Sequence, residues 1–217
     1  MKSDTQIKDD VAAELAFEPA IDATRVGVAV KDGVVTLSGT LGTYMQKWAV
    51  ERAVRRVAGV RGIAVDLEVS LAPGHKRDDT DIAAAALQAL RWHTLVPSEN
   101  VQVEVEDGWI TLNGHVEWGY QSRAAEHAVQ SLTGVRGVTN QIEVRTKVDA
   151  GRIRDDITAA FNRHAQREAS RIGITIDKGV VTLRGNVDSM AEHDAAIGTA
   201  GAAAGVTRVV DELRIAA

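Results

Sequence analysis

The sequence predicts an α+β fold built from three tandem α-β-β-α-β units, each a three-stranded sheet with two helices on one face. Three observations carry that expectation. A ten-residue phrase occurs three times: Val30–Gly39 (VKDGVVTLSG), Val105–Gly114 (VEDGWITLNG) and Ile176–Gly185 (IDKGVVTLRG). Its central glycines, Gly33, Gly108 and Gly179, lie 75 and 71 residues apart. A Gly-Val pair (Gly59-Val60, Gly134-Val135, Gly205-Val206) follows each at 26 residues, and Ile7, Ile82 and Ile153 precede each at the same distance. Two conserved spacings in three copies mark a duplicated module rather than chance.

Within a unit the first helix shows one apolar stripe at four-residue spacing. Its members are Ile7, Val11 and Leu15, then Ile82, Ala86 and Leu90, then Ile153, Ile157 and Phe161. The phrase itself alternates apolar and polar residues, breaks at Asp-Gly or Lys-Gly, and alternates again. That pattern predicts a hairpin with a two-residue primed turn, where glycine accepts the positive φ. Pairing across the turn sets Val30 opposite Val35 and Val28 opposite Leu37, so the apolar faces agree. The second helix opens with a capping box in two copies, Thr43-x-x-Gln46 and Ser189-x-x-Glu192; the middle copy has Trp118 at the cap position. Its small residues (Ala49, Ala53, Val57; Ala124, Ala128, Leu132; Ala195, Thr199, Ala203) are expected to face the sheet, and the Gly-Val pair to end it. A last alternating strand runs through Ile63, Val65, Leu67 and Val69 and its counterparts. The expected strand order is 1-2-3. Pro73-Gly74 and the charges after it mark an exposed connection, and the expected domains are 4–72, 79–147 and 150–217.

Composition narrows the function. The chain has 217 residues, 45% hydrophobic and 25% charged, with a net charge of −5. Each unit carries slightly more acid than base, which argues against nucleic-acid binding. The chain has no cysteine, which excludes disulfides, thiol catalysis and cysteine-based zinc sites. There is no apolar run of transmembrane length. The first residues lack a signal-peptide core, which predicts a cytoplasmic protein if Met1 is the native start and a periplasmic one if a leader has been removed. Six histidines are scattered without a ligand motif. His115-Val116-Glu117 is the nearest approach to one, and a surface pair is its plainer reading. The acidic pairs Asp9-Asp10, Asp78-Asp79 and Asp155-Asp156 are read as helix-dipole partners near helix starts. The residues therefore predict no catalytic site, no metal and no cofactor.

The phrase Val-x-Asp-Gly-x-Val/Ile-Thr-Leu-x-Gly, the alanine-rich helix, Gly-Val and the closing strand together resemble the BON domain, three times over. Two departures are Val65, where the family has Asn or Asp, and Lys178, where Asp precedes the glycine. The resemblance implies binding rather than catalysis, with phospholipid surfaces or other proteins as partners and a role in bacterial osmotic or envelope stress.

Two surfaces are candidate contacts. Trp109 falls on the sheet face away from the helices, and Trp118 and Tyr120 lie nearby. These aromatics are candidates for partner binding or self-assembly into a homo-oligomer; packing between units of the same chain and ligand binding are the other readings. On the second helix of the first unit, Trp48, Arg52 and Arg56 recur every fourth residue with Arg55 beside them. That flank is a candidate contact for an anionic headgroup or acidic partner, or a solvated face with arginine resting on tryptophan. A non-enzymatic scaffold, an anionic-lipid binder and a small-ligand or cation sensor are the functions carried forward.

Overall fold

A hairpin that closes in two residues needs positive φ at both, and the chain supplies it in every unit. In a computed structural model describing residues 2–145, 150–163 and 172–215, φ is 52° and 76° at Asp32-Gly33, 49° and 76° at Asp107-Gly108, and 47° and 83° at Lys178-Gly179. Unit 1 comprises α1 (Asp4–Phe17), β1 (Val26–Lys31), β2 (Val34–Leu41), α2 (Tyr44–Arg55) and β3 (Gly62–Val69). Unit 2 comprises α3 (Asp79–Trp92), β4 (Val101–Glu106), β5 (Trp109–Val116), α4 (Gly119–Gln130), β6 (Gly137–Asn140) and β7 (Glu143–Val144). Unit 3 comprises α5 (Ala150–Arg163), β8 (Ile172–Asp177), β9 (Val180–Val187), α6 (Met190–Ala202) and β10 (Arg208–Ile215). The hairpin strands pair antiparallel, with Val30 opposite Val35 and Val28 opposite Leu37, and the third strand pairs parallel to the second. The order in unit 1 is β1-β2-β3, as expected, and unit 3 repeats it.

Each sheet buries one face under its two helices. Val35 and Leu37 of β2, the Ile7-Val11-Leu15 stripe of α1, and Val50, Ala53 and Val54 of α2 form one core. Ile110, Leu112, Ile82, Leu90, Ala125 and Val129 form the second, and Val181, Leu183, Ile153, Ile157, Ala196 and Ala200 the third. The stripe on the second helix keeps the expected Ala53 and Val57 in unit 1, both buried, and is displaced by one residue in units 2 and 3. Val50, Ala125 and Ala196 are fully buried, whereas Ala49 and Ala124 are only partly so. The reason is that this helix packs on two sides, against its own sheet and against neighbouring units.

The caps differ in detail from the expected boxes. Thr43 and Ser189 accept from the amides of Gln46 and Glu192, but the return bonds come from the amides of Gly42 and Asp188, one residue earlier. In the middle unit Gln121 alone does the work, accepting from the amides of Glu117 and Trp118. The expected alternating third strand is interrupted there: the Asn140 side chain accepts the Ile142 amide and splits the strand into β6 and β7.

The acidic pairs are not simple dipole partners. Asp9-Asp10 and Asp155-Asp156 lie inside helices, and Asp10 pairs with Lys2 at 2.6 Å. Asp78 caps α3 through the Asp81 amide. Asp79 accepts from both turn amides, Asp107 at 2.9 Å and Gly108 at 2.8 Å, and Asp4 does the same for Asp32 and Gly33. The start of the first helix thus clamps the hairpin turn; at the same register unit 3 has Ala150. Charged acceptors bond about twice as strongly as neutral ones. Asp79→Ala is therefore expected to cost about 2 kcal/mol in urea unfolding and to speed amide exchange at Asp107 and Gly108, with Asp79→Asn intermediate.

The second helices bring the three units into a closed cycle. Trp48 of α2 meets His127 of α4 edge-on, with ring centroids 6.0 Å apart. Arg123 of α4 donates to the Gly201 carbonyl of α6 at 3.1 Å. Asp194 of α6 pairs with Arg55 of α2 at 3.3 Å. Trp48, Arg123 and Asp194 occupy the same register position, so each unit reaches the next from one position and the third returns to the first; Gly201 and Arg55 are equivalent on the receiving side, and His127 lies about one turn earlier. Apolar contacts follow suit: Tyr44 packs on the second core, and Met190 and Ile215 on the first.

Candidate functional site

Trp109 follows the turn glycine at the start of β5, on the face opposite the buried Ile110 and Leu112, so alternation aims it outward. Its indole N–H donates to Thr139 Oγ1 at 2.8 Å, and its ring lies over Gly137 on the next strand, where a methyl group would collide with it. It is nonetheless 47% exposed, and its counterpart Val34 is 42% exposed. Trp118 is half-buried just before α4, and Tyr120 is 45% exposed on its first turn. The structure thus holds Trp109 rigidly while leaving half of it open to solvent.

The basic flank of α2 is largely engaged within the chain. Arg52 lies 4.8 Å from the centroid of Trp48, whose ring also meets His127. Arg55 pairs with Asp194 across the junction of units 3 and 1. Arg56 pairs with Glu14 at 2.7 Å and Glu18 at 3.6 Å on α1. Burial holds the Glu51 carboxyl above its usual range, against the pull of Lys47 and Arg55. Burial, then the charges of Glu126 and Glu51, likewise raises the Tyr44 hydroxyl at the neighbouring junction. A raised folded-state value means that the ionised Glu51 costs stability once the pH exceeds it. Glu51→Gln is expected to raise Tm at pH 7, and the gain to shrink as the pH falls through the Glu51 folded value. A gain independent of pH would contradict this.

A polar link between the second helix and third strand was missed in the sequence. In unit 2 the Asn140 amide nitrogen donates to Ser122 Oγ at 3.0 Å and to Glu126 at 3.1 Å. In unit 3 His193 Nε2 lies 2.7 Å from Asp211, and its Nδ1 lies 3.2 Å from Asp194. In unit 1, where this strand position is the exposed Val65, Lys47 instead donates to the Leu67 carbonyl at 3.1 Å. The signal was available in the Val65 departure, since a polar residue at this strand position in the other two units lies beside the second helix and can bond to it.

Two clefts repeat at equivalent places. One of about 580 Å³ is lined by Asp79, Asp107, Gly108, Gly134 and Arg136 at the junction of units 1 and 2. The other, of about 360 Å³, is lined by Asp4, Asp32, Gly33, Gly59 and Arg61 at the junction of units 3 and 1. Asp79 and Asp4 already hold the turn amides of Asp107-Gly108 and Asp32-Gly33, so these are solvated seams with mixed charge. Among the described residues no group of three or more potential ligands could hold a metal, and His115 and Glu117 are both exposed. His164 lies outside the described residues. No described helix is long and apolar enough to cross a membrane.

A thrice-repeated hairpin-and-helix module whose notable features are junctions and outward faces defines a class: the tandem-repeat α/β proteins. The BON domain profile matches residues 3–70, 78–146 and 149–217. The chain belongs to the BON domain family. It is 30% identical over 146 residues to the osmotically-inducible protein Y of Escherichia coli (strain K12), spanning 65% of this chain and 73% of that protein. Among solved structures it is similar to CdsD, a structural protein of the type III secretion system of Chlamydia trachomatis, at 11% identity and a TM-score of 0.28 over 96% of this chain and 91% of that one. The PrgH periplasmic domain follows at 8% identity and a TM-score of 0.21, over 89% and 96%.

Proposed function

We propose that this chain is a non-enzymatic binding or scaffold protein of the bacterial osmotic or envelope stress response. Family membership and the osmotically inducible relative support the setting. The observation that carries the binding role is the open sheet face: Trp109 is fixed by Thr139 and Gly137 yet half exposed, while Trp118 and Tyr120 lie beyond the far end of the same strand and are not part of its patch. A rigid aromatic with one exposed side loses little entropy on contact. Light scattering and pull-down with purified protein test this reading. Trp109→Ala is expected to abolish the partner or self-association with a modest fall in Tm from the lost Thr139 bond and Gly137 contact, and unchanged mass and unchanged capture in the folded variant would refute it.

A phospholipid surface is the second reading, favoured by a different repeat. Phe17 and Trp92 hold equivalent positions at the ends of α1 and α3, and each is 81% exposed. With Arg55 and Arg56 already paired, Arg52 stacked on Trp48 is the remaining member of the α2 flank for an anionic headgroup. Vesicle flotation with acidic and neutral lipids separates the readings: Phe17→Ser with Trp92→Ser is expected to remove acidic-lipid flotation while leaving Trp109-dependent association intact.

A further inference from the structure

Three junctions close the cycle of units, but only two of them are backed by the chain itself. Residues 70–78 join units 1 and 2, and residues 145–149 join units 2 and 3. Among the described residues, the junction from unit 3 back to unit 1 is carried by side-chain contacts. Asp194 meets Arg55 at 3.3 Å with both side chains about 40% exposed, Met190 sits 9% exposed in the first core, and Ile215 touches the first and third cores. Nothing in that chemistry distinguishes a unit of the same molecule from a unit of another copy.

We propose that this junction is a self-interaction surface whose partner is a second copy of the chain. Unit 1 of one molecule seats against units 2 and 3 of another, and the exchange is reciprocal. The hinge is the connection between Val69 and the Asp78 cap. From Ala72 to Arg77 it is exposed throughout, and open space surrounds Gly74. Eight residues reach at most about 29 Å when extended, enough to carry the unit off its seat. Every contact of the cycle is kept in the exchanged pair, because head-to-tail junctions that close at three units do so whichever molecule supplies the third. Reciprocal exchange between two chains is the smallest assembly that leaves no junction open. Tethering gives the closed single molecule a high effective concentration, so the exchanged form gains where the tethered junction is weakened. This inference rests on the cycle and not on the reading of the open face.

The test uses complementary charges in the full chain. Asp194→Arg sets two cations at the junction of a closed molecule, and Arg55→Asp sets two anions there. Neither is relieved by pairing with its own kind. One chain of each relieves both, since one junction then holds the native pair and the other the reversed pair. Each variant alone is expected to have the single-chain mass and a lowered Tm. The two refolded together from urea are expected to give a species of twice the chain mass in light scattering, containing both variants in equal amounts. The double variant, Arg55→Asp with Asp194→Arg, is expected to remain a single chain and to melt above both single variants, short of the wild type because the new carboxylate at position 55 then faces Glu51 and the new guanidinium at position 194 loses the His193 contact. A refolded mixture that keeps the single-chain mass at every concentration overturns the proposal, as does a double variant that melts no higher than the single variants.

Discussion

Replacing Gly114 with alanine is expected to cost about 4 kcal/mol and to lower the urea midpoint accordingly, at the extreme of what single substitutions do. Gly114 ends the hairpin phrase, pairs with Val101, and has φ of +125°. That region is open essentially to glycine alone, which by itself costs an L-residue about 1–3 kcal/mol. The added methyl group would also fall on the Asn100 carbonyl oxygen. That atom is backbone just before β4, so it cannot swing aside as a side-chain tip would, and the strand pair must part to make room. Gly39 stands in the same position, at φ +137° against the Arg25 carbonyl, and Gly39→Ala is expected to behave alike. Gly74→Ala is the control. With open space around it, it is expected to stay within about 0.5 kcal/mol of the parent.

Leu112→Ala is expected to cost about 3–4 kcal/mol, with an unchanged denaturant slope. Leu112 has no exposed surface and lies at the centre of its sheet, between Val103 on β4 and Asn140 on β6. Ile82 and Leu90 of α3 and Val129 of α4 cover it from the other side. Helices on one side and sheet on the other leave little freedom for collapse, so the lost methyl groups leave a cavity. The cavity term adds to the transfer free energy of the missing carbons. The second core also receives Tyr44 from unit 1. The variant is therefore expected to unfold in one transition rather than shed its middle unit alone, and a separate early transition by circular dichroism would contradict the closed cycle.

The parts that a sequence discloses here are those governed by neighbours along the chain. Positive φ at Asp32-Gly33, the register of Val30 with Val35 and the stripe of Ile7, Val11 and Leu15 all follow from local spacing, and the structure has each of them. Strand alternation likewise placed Trp109 on the outward face. What was not legible depends on groups far apart in sequence. Asp79 reads as a dipole partner until its carboxylate is seen on turn amides 28 and 29 residues away. The stripes of α4 and α6 fall one residue from the expected ones because each helix serves two interfaces, whereas Ala53 of α2 and Val57 just after it are buried as the spacing predicts. Trp48 and Arg55 look like unrepeated surface residues because each junction solves the same contact with different chemistry. The equivalent pairs are an aromatic on histidine, an arginine on a carbonyl and an ion pair. A search for repeated identity passes over repeated geometry.

Those three unlike pairs also determine which neighbour each module accepts. If units 2 and 3 traded places, the same register would set Arg123 against Arg55, Asp194 against Gln130, and Trp48 against the bare backbone of Gly198. Like charges and unfilled space penalise the shuffled order as much as the native contacts favour their own. Copies that began alike have become addressed parts, so a spare module cut from one position is a poor graft at another.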